Sequence, residues 1–319
     1  MIGESVVDVV DPGDDSACLA RPGGSPLNVA IGLARLGNPT AFAGRLSDDP
    51  LGTILMRHLE RSGVDISRVV RVPEPSTIAL LELSGGHASY QFSVQRAADF
   101  RWSKEEVSVL PAGAGAVHFG SLASWLPPGD EVINRRLAAL RAAGSVLISY
   151  DPNARPGLQA DADAARRKVQ RSAAHAHVIK ASAEDVDWLY GSPGQAGRAD
   201  VAAGWLAQGS AMVVVTDGAN GAIAWTPGLP PVWRPAVPVQ VADSVGAGDA
   251  FTSGLLDALA RRNLLTPESV GGLQDAATMA AVLDDAALVA AITCSRPGSD
   301  PPWRDEVEHY RSGGVRAGP

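Results

Sequence analysis

Apolar residues along this chain follow two alternating rhythms. Short runs rich in β-branched side chains, at residues 6–10, 41–44, 116–120, 146–151, 177–181 and 212–216, read as strands. Between them lie Ala- and Leu-rich stretches with helical spacing, at 27–36, 51–61, 130–143, 161–174, 183–190 and 200–208. Three more follow at 249–262, 272–283 and 284–292. This alternation predicts an α/β fold with a mostly parallel central sheet. One segment departs from it. Residues 77–83 and 88–94 flank a Ser-Gly-Gly-His turn and read as a hairpin off the main sheet, either a small β-lid over an active-site edge or a plain edge hairpin. The Pro-rich residues 226–238 read as a loop with an edge strand. No linker, internal repeat or low-complexity tract divides the chain, so residues 1–319 are expected to form a single domain, with lid segments near 11–22 and 73–99.

Composition narrows the function classes. A hydrophobic share of 45% excludes global disorder. The 35 acidic residues outnumber 27 basic ones, and the basic residues form no stripe, so no nucleic-acid partner is expected. Apolar runs such as 211–215 and 286–292 fall short of the ~18 residues of a membrane span, and no leader-like segment opens the chain. Cys18 and Cys294 stand far apart without CxxC spacing, which argues against a disulfide scaffold or a zinc site. A cytoplasmic protein is the expectation.

The sharpest chemical feature is DSVGAGDAFTSGLL, residues 243–256. A β-like run feeds a Gly-Ala-Gly turn, and an apolar helix follows. At such a helix start the amides of Gly246, Ala247 and Gly248 are left unpaired at the positive end of the helix dipole, an anion hole suited to a phosphoryl group in transfer. Asp249 follows in the first turn, where a carboxylate can take a hydroxyl proton. Taken alone, the turn reads equally well as a capping aspartate after chain-reversing glycines. No GxxxxGK[ST] occurs, and the turn lacks the third glycine of GxGxxG, so a P-loop is excluded and a nicotinamide site is a weak alternative. A second feature, GGSPLNVAIGLARLG at residues 23–37, reads alone as a loop and a buried helix.

Together these two segments resemble the signatures of the ribokinase/PfkB family of carbohydrate kinases. GESVVD (3–8), DPNARP (151–156), KASAED (180–185) and CSRPGSDPP (294–302) make the chain most similar to the fructokinase branch. The resemblance covers nearly the whole sequence. It implies a ribokinase-like three-layer α/β/α domain with a β-lid, working on a sugar and ATP with Mg2+ and K+, and a homodimer formed through the lids. By the same resemblance Asp249 is the base, and the amides of Gly246, Ala247 and Gly248 hold the moving phosphoryl group. Asp8 binds sugar hydroxyls, with Gly23, Gly24 and Asn28 closing round the same sugar. Arg96, beside the hairpin, reaches the substrate from the lid or is simply a solvated arginine. Asp151, Asn153 and Arg155 position phosphates, with Arg155 also in the substrate-binding set. Lys180 serves a phosphate or caps a strand. Glu184 orders magnesium, and Thr216 and Gly218 form a turn near the ATP phosphates. Asp243 is implied as the side-chain ligand of a monovalent cation, with carbonyls of Val245, Arg296 and Gly298.

The sequence also departs from the family pattern. Ser244 replaces a threonine in the later signature, and Ala181 stands where a magnesium-site asparagine is usual. Asp217 replaces an apolar residue, and its charge would repel phosphates unless it pointed away. The opening Met1-Ile2-Gly3-Glu4 makes the first strand short at its start. The reading is a fructokinase. Its alternatives are a 2-keto-3-deoxygluconate kinase, a ribokinase or another small-sugar kinase, and, from a different class, a non-catalytic sugar or nucleotide sensor.

Overall fold

The computed structural model describes residues 1–11, 18–84, 87–108, 113–159, 161–191 and 194–313. Its strands are β1 (Val6–Asp11), β2 (Leu19–Gly23), β3 (Arg45–Ser47), β4 (Val70–Val72), β5 (Thr77–Ser84), β6 (His87–Ser93), β7 (Ala116–Gly120), β8 (Leu147–Asp151), β9 (Val178–Ser182), β10 (Met212–Thr216), β11 (Ala222–Trp225) and β12 (Val232–Arg234). The main sheet has the order β12-β11-β10-β9-β8-β7. From β7 to β10 it is parallel, and β11 and β12 close one edge antiparallel.

Period-two alternation along the strands assigns each side chain to one face of this sheet. Phe119, Ile148, Tyr150, Ile179, Val213 and Val215 pack against helices Gly129–Ala143, Ala162–Ala173, Ala183–Tyr190 and Gln195–Ala207. Leu147, Val178, Met212 and Val214 point the other way, against helices Ala247–Arg261 and Ala276–Cys294. The result is three layers. Asp151 and Lys180 fall on the second face by the same count, and this aims both at the helix that begins at Ala247.

Two readings change at the start of the chain. Ile2 joins the main sheet only through isolated bridges to Phe119 and Ala43, whereas the strand expected in that sheet lies elsewhere. β1 belongs to a second sheet, ordered β2-β1-β5-β6. The lid is therefore larger than a hairpin: β1 pairs antiparallel with β2 and parallel with β5. Residues 12–17 and 85–86, parts of the expected lid segment and of the hairpin turn, lie outside the described residues. The strand expected at 41–44 reduces to single bridges at Ala41 and Ala43, followed by β3, which pairs with β4.

The two helices expected at 272–283 and 284–292 are one, Ala276–Cys294. The Asp284-Asp285 pair that reads as a break lies on its outer side, where Asp284 accepts from Arg234 at 2.6 Å and Asp285 from Arg262 at 2.8 Å. With 19 residues and a mean hydropathy of 1.6 this helix is long and apolar enough to cross a membrane. Here it is a layer of the domain, with Met279, Val282, Leu283 and Ala286 buried against helix Ala247–Arg261 and the sheet.

Candidate active site

Helix Ala247–Arg261 opens from Gly246, whose φ of 77° is left-handed, a conformation that costs other residues ~1–2 kcal/mol. Of the three amides expected to form the anion hole, that of Ala247 closes the turn instead, donating to the Ser244 carbonyl at 3.2 Å. The amides of Gly246 and Gly248 have no acceptor among the described residues and stay available to an anion.

Asp249 stands in the first turn of this helix and is held from the far end of the sequence. Ser25 Oγ donates to its Oδ1 at 2.6 Å, and Asn28 Nδ2 to its Oδ2 at 2.8 Å. Burial pushes the Asp249 carboxyl above its ordinary value, and these two hydrogen bonds pull it back. Asn28 thus orients the expected base. Its Oδ1 is buried without a protein partner, which leaves an acceptor for a hydroxyl. Ser25 was not singled out in the sequence; its place beside Asn28 in the same helix turn was the available signal.

Below the turn sits a buried charge cluster. Lys180 Nζ donates to Asp151 Oδ2 at 3.0 Å, and both side chains are buried. A Cβ built on Gly248 would lie only 2.9 Å from that Nζ, so the ammonium backs directly onto the anion hole. Burial works against the charged form of Lys180, but Asp151 outweighs it and raises the lysine above its usual value. Lys180 is thus a buried, paired cation beside the glycine turn. Asp185, also unforeseen, accepts from the Ala154 amide at 3.0 Å. Burial and the nearby Asp151 raise Asp185 to about 6. Asn153 donates its amide to Asp151 Oδ1 at 3.1 Å, and Arg155 donates to the Asn153 and Ala154 carbonyls.

The lid supplies the other wall. Asp8 lies opposite Arg21 in the β1–β2 ladder, and a Cβ on Gly23 would fall 2.3 Å from Asp8 Oδ2, so a bare backbone is required there. Burial raises Asp8 to about 6, opposed by Arg155 and reinforced by Asp249. The lid aspartate is thus close enough to Arg155 and to the helix carboxylate for their charges to act on it. Gly24 closes against the backbone of Ser5 and Val6. Arg21, also missed, approaches Gly298. Arg96 stands apart: with φ of 59° it lines an open groove of about 570 Å³ with Pro73, Glu74, Pro75 and Arg101, none of which belongs to the Asp249 cluster.

On the nucleotide side, Glu184 is exposed in the first turn of helix Ala183–Tyr190, which Ser182 caps. Thr216 is the last residue of β10, and Gly218 begins the short turn after it. Asp217 is ion-paired, accepting from Arg198 Nη1 at 2.8 Å. Asp243 joins two turns, accepting from the amides of Val245 at 3.0 Å and Gly298 at 2.8 Å. Each of its oxygens keeps a lone pair, and a carboxylate of this kind fits a hard monovalent cation. No cluster of three or more His, Cys, Asp or Glu side chains forms a metal cage among the described residues. The exposed Glu184 fits a magnesium ion that arrives with phosphates and keeps most of its waters.

The sequence matches the profile described as pfkB family carbohydrate kinase over residues 2–306. The chain belongs to that family. It is 38% identical over 280 residues to a fructokinase of Rhizobium leguminosarum bv. trifolii, covering 86% of this chain and 83% of the relative. Among solved structures it is similar to a fructokinase with bound ATP from Xylella fastidiosa, with a TM-score of 0.87, 28% identity and 98% of both chains covered. It is also similar to a fructokinase from Vibrio cholerae O395 in a form with fructose, ADP and calcium ion, with a TM-score of 0.84, 27% identity and 97% of both chains covered. The family and the fold read from residues 23–37 and 243–256 are thus those of the protein.

Proposed function

We propose that this carbohydrate kinase transfers the γ-phosphoryl group of ATP to a hydroxyl of fructose. The observation that carries the reading is Asp249: a carboxylate fixed by Ser25 and Asn28 one residue beyond a turn with two free amides, and facing Asp8 across the cleft. Asp249 Oδ takes the proton of the attacking hydroxyl and aims its oxygen in line. Asp8 and the free Oδ1 of Asn28 hold the sugar by its hydroxyls. The amides of Gly246 and Gly248, backed by Lys180, stabilise charge on the phosphoryl oxygens as it moves. Closure of the four-stranded lid excludes water, which would otherwise accept the phosphoryl group.

Thr216, Gly218 and Arg155 line the phosphate path in this account. Glu184 would help hold magnesium, which would supply charge neutralisation at the phosphates; Asp243, with the carbonyls of Val245, Arg296 and Gly298, would hold potassium. The likeness to fructokinases in sequence and fold supports fructose over 2-keto-3-deoxygluconate and ribose. An ATP-dependent sugar kinase needs a standing pool of ATP, which supports the cytoplasm. A homodimer formed through the lid sheets, implied by the family resemblance, is expected to sediment at twice 32.9 kDa. The test of the acceptor is a panel of fructose, 2-keto-3-deoxygluconate, ribose, glucose and adenosine with magnesium-ATP and potassium. Phosphorus NMR of the product identifies the phosphorylated carbon. A strong preference for another member would replace the sugar.

A further inference from the structure

Asp217 sets a problem that the fold answers. The register of β9 against β10 pairs Ser182 with Thr216, so the start of helix Ala183–Tyr190 and the turn after Thr216 lie side by side at the carboxyl edge of the parallel strands. Asp151 ends β8 at the same edge. Ligands of open parallel sheets dock there. A carboxylate in that turn adds negative charge where a nucleotide polyphosphate must sit. Arg198, in helix Gln195–Ala207, spans the gap. Its Nη1 donates to Asp217 at 2.8 Å, while Nε and Nη2 donate to the two oxygens of Asp187 at 3.0 and 2.7 Å. Asp187 belongs to the helix that carries Glu184 and Asp185. One guanidinium, 15% exposed, thereby offsets one of these two carboxylate charges and ties the turn of Thr216 and Gly218 to the helix of Glu184.

We infer that Arg198 is a positioning residue for the nucleotide, which the aspartate at 217 makes necessary. It touches neither sugar nor reacting atoms; it acts through Asp217 and Asp187. The inference rests on the ATP reading above, so the test measures nucleotide affinity both with and without turnover. Arg198→Met should raise KM for ATP at least tenfold, keep KM for fructose within twofold, and weaken magnesium-ATP binding in calorimetry without sugar by the same factor. Added salt should recover part of that loss, because the unpaired Asp217 charge is then screened. The double variant Arg198→Met/Asp217→Asn should return KM for ATP to within about threefold of wild type. A change below twofold in Arg198→Met, or a double variant as poor as the single one, overturns the inference. If Arg198→Met does not fold, Arg198→Lys is the second probe: it keeps a charge but cannot span two carboxylates, and an unchanged KM for ATP would overturn the inference. Wild-type protein that binds magnesium-ATP but does not phosphorylate fructose would fail the fructokinase reading alone, with this inference still decided by the calorimetry.

Discussion

Gly246→Ala is the substitution whose cost the structure defines best. A non-glycine residue at φ 77° pays ~1–2 kcal/mol for the left-handed backbone. The new Cβ would also lie 2.0 Å from Ser299 Oγ, 2.5 Å from Ser299 Cβ and 3.0 Å from Ser299 Cα, so a backbone turn has to move. Overpacking of that kind adds ~1–3 kcal/mol, for about 2–5 kcal/mol together. At about 2.1 cal/mol/K per residue, a chain of 319 residues loses roughly 3–7 °C in Tm. The turn that must shift also donates the Gly298 amide to Asp243, so the anion-binding amides move with it. Displacing such a donor lowers kcat by ~10²–10³. Gly37→Ala is the control: φ there is 82°, but nothing lies within 4 Å of the added Cβ. It should lose only the backbone part, ~1–2 kcal/mol, with full activity. Differential scanning calorimetry and steady-state kinetics read both quantities. Gly246→Ala with turnover within threefold of wild type would refute the role of this turn.

Two other perturbations test the charges. Lys180→Met removes the cation that opposes the raised Asp249 carboxyl, so the base loses its ionised form at a higher pH. Turnover should fall ~100-fold or more, and the acid limb of the kcat/KM profile should move to higher pH; an unmoved limb contradicts the cluster's role. Glu4, buried at the foot of the lid, is raised by desolvation from 4.5 to about 7. Below pH 4.5 its contribution to stability is intact, and it is lost as pH rises through about 7. The shift corresponds to about 3 kcal/mol, so the stability of Glu4→Gln relative to wild type should grow by that order between pH 4 and 8 in urea titrations. A difference that stays flat with pH would count against a buried Glu4 carboxyl.

The main sheet, the glycine turn and Asp249 were legible because each leaves a local mark: strand-length apolar runs, and Gly-Ala-Gly ahead of an apolar helix. What stayed hidden depends on contacts across the fold. Ser25 meets Asp249 over 224 positions of sequence, and no local spacing announces it. The pairing of Lys180 with Asp151 was hidden because Asp151 lies on the neighbouring strand 29 residues away. β1 has the composition of a core strand, and only pairing with β2 and β5 assigns it to the lid. Helix Ala276–Cys294 was cut at two aspartates whose arginine partners come from three other segments. The repulsion expected of Asp217 was an inference from one residue; its ion pair with Arg198, 19 positions away, offsets part of that charge.

The central claim is that Asp249 takes the hydroxyl proton of a sugar during phosphoryl transfer. The most direct measurement is fructose-dependent ADP release from magnesium-ATP with potassium, in wild type and in Asp249→Asn, with fructose affinity measured in parallel. The account predicts release that requires fructose, and a fall of several orders of magnitude in the variant with sugar binding largely kept. Near-wild-type turnover in a folded Asp249→Asn would contradict it.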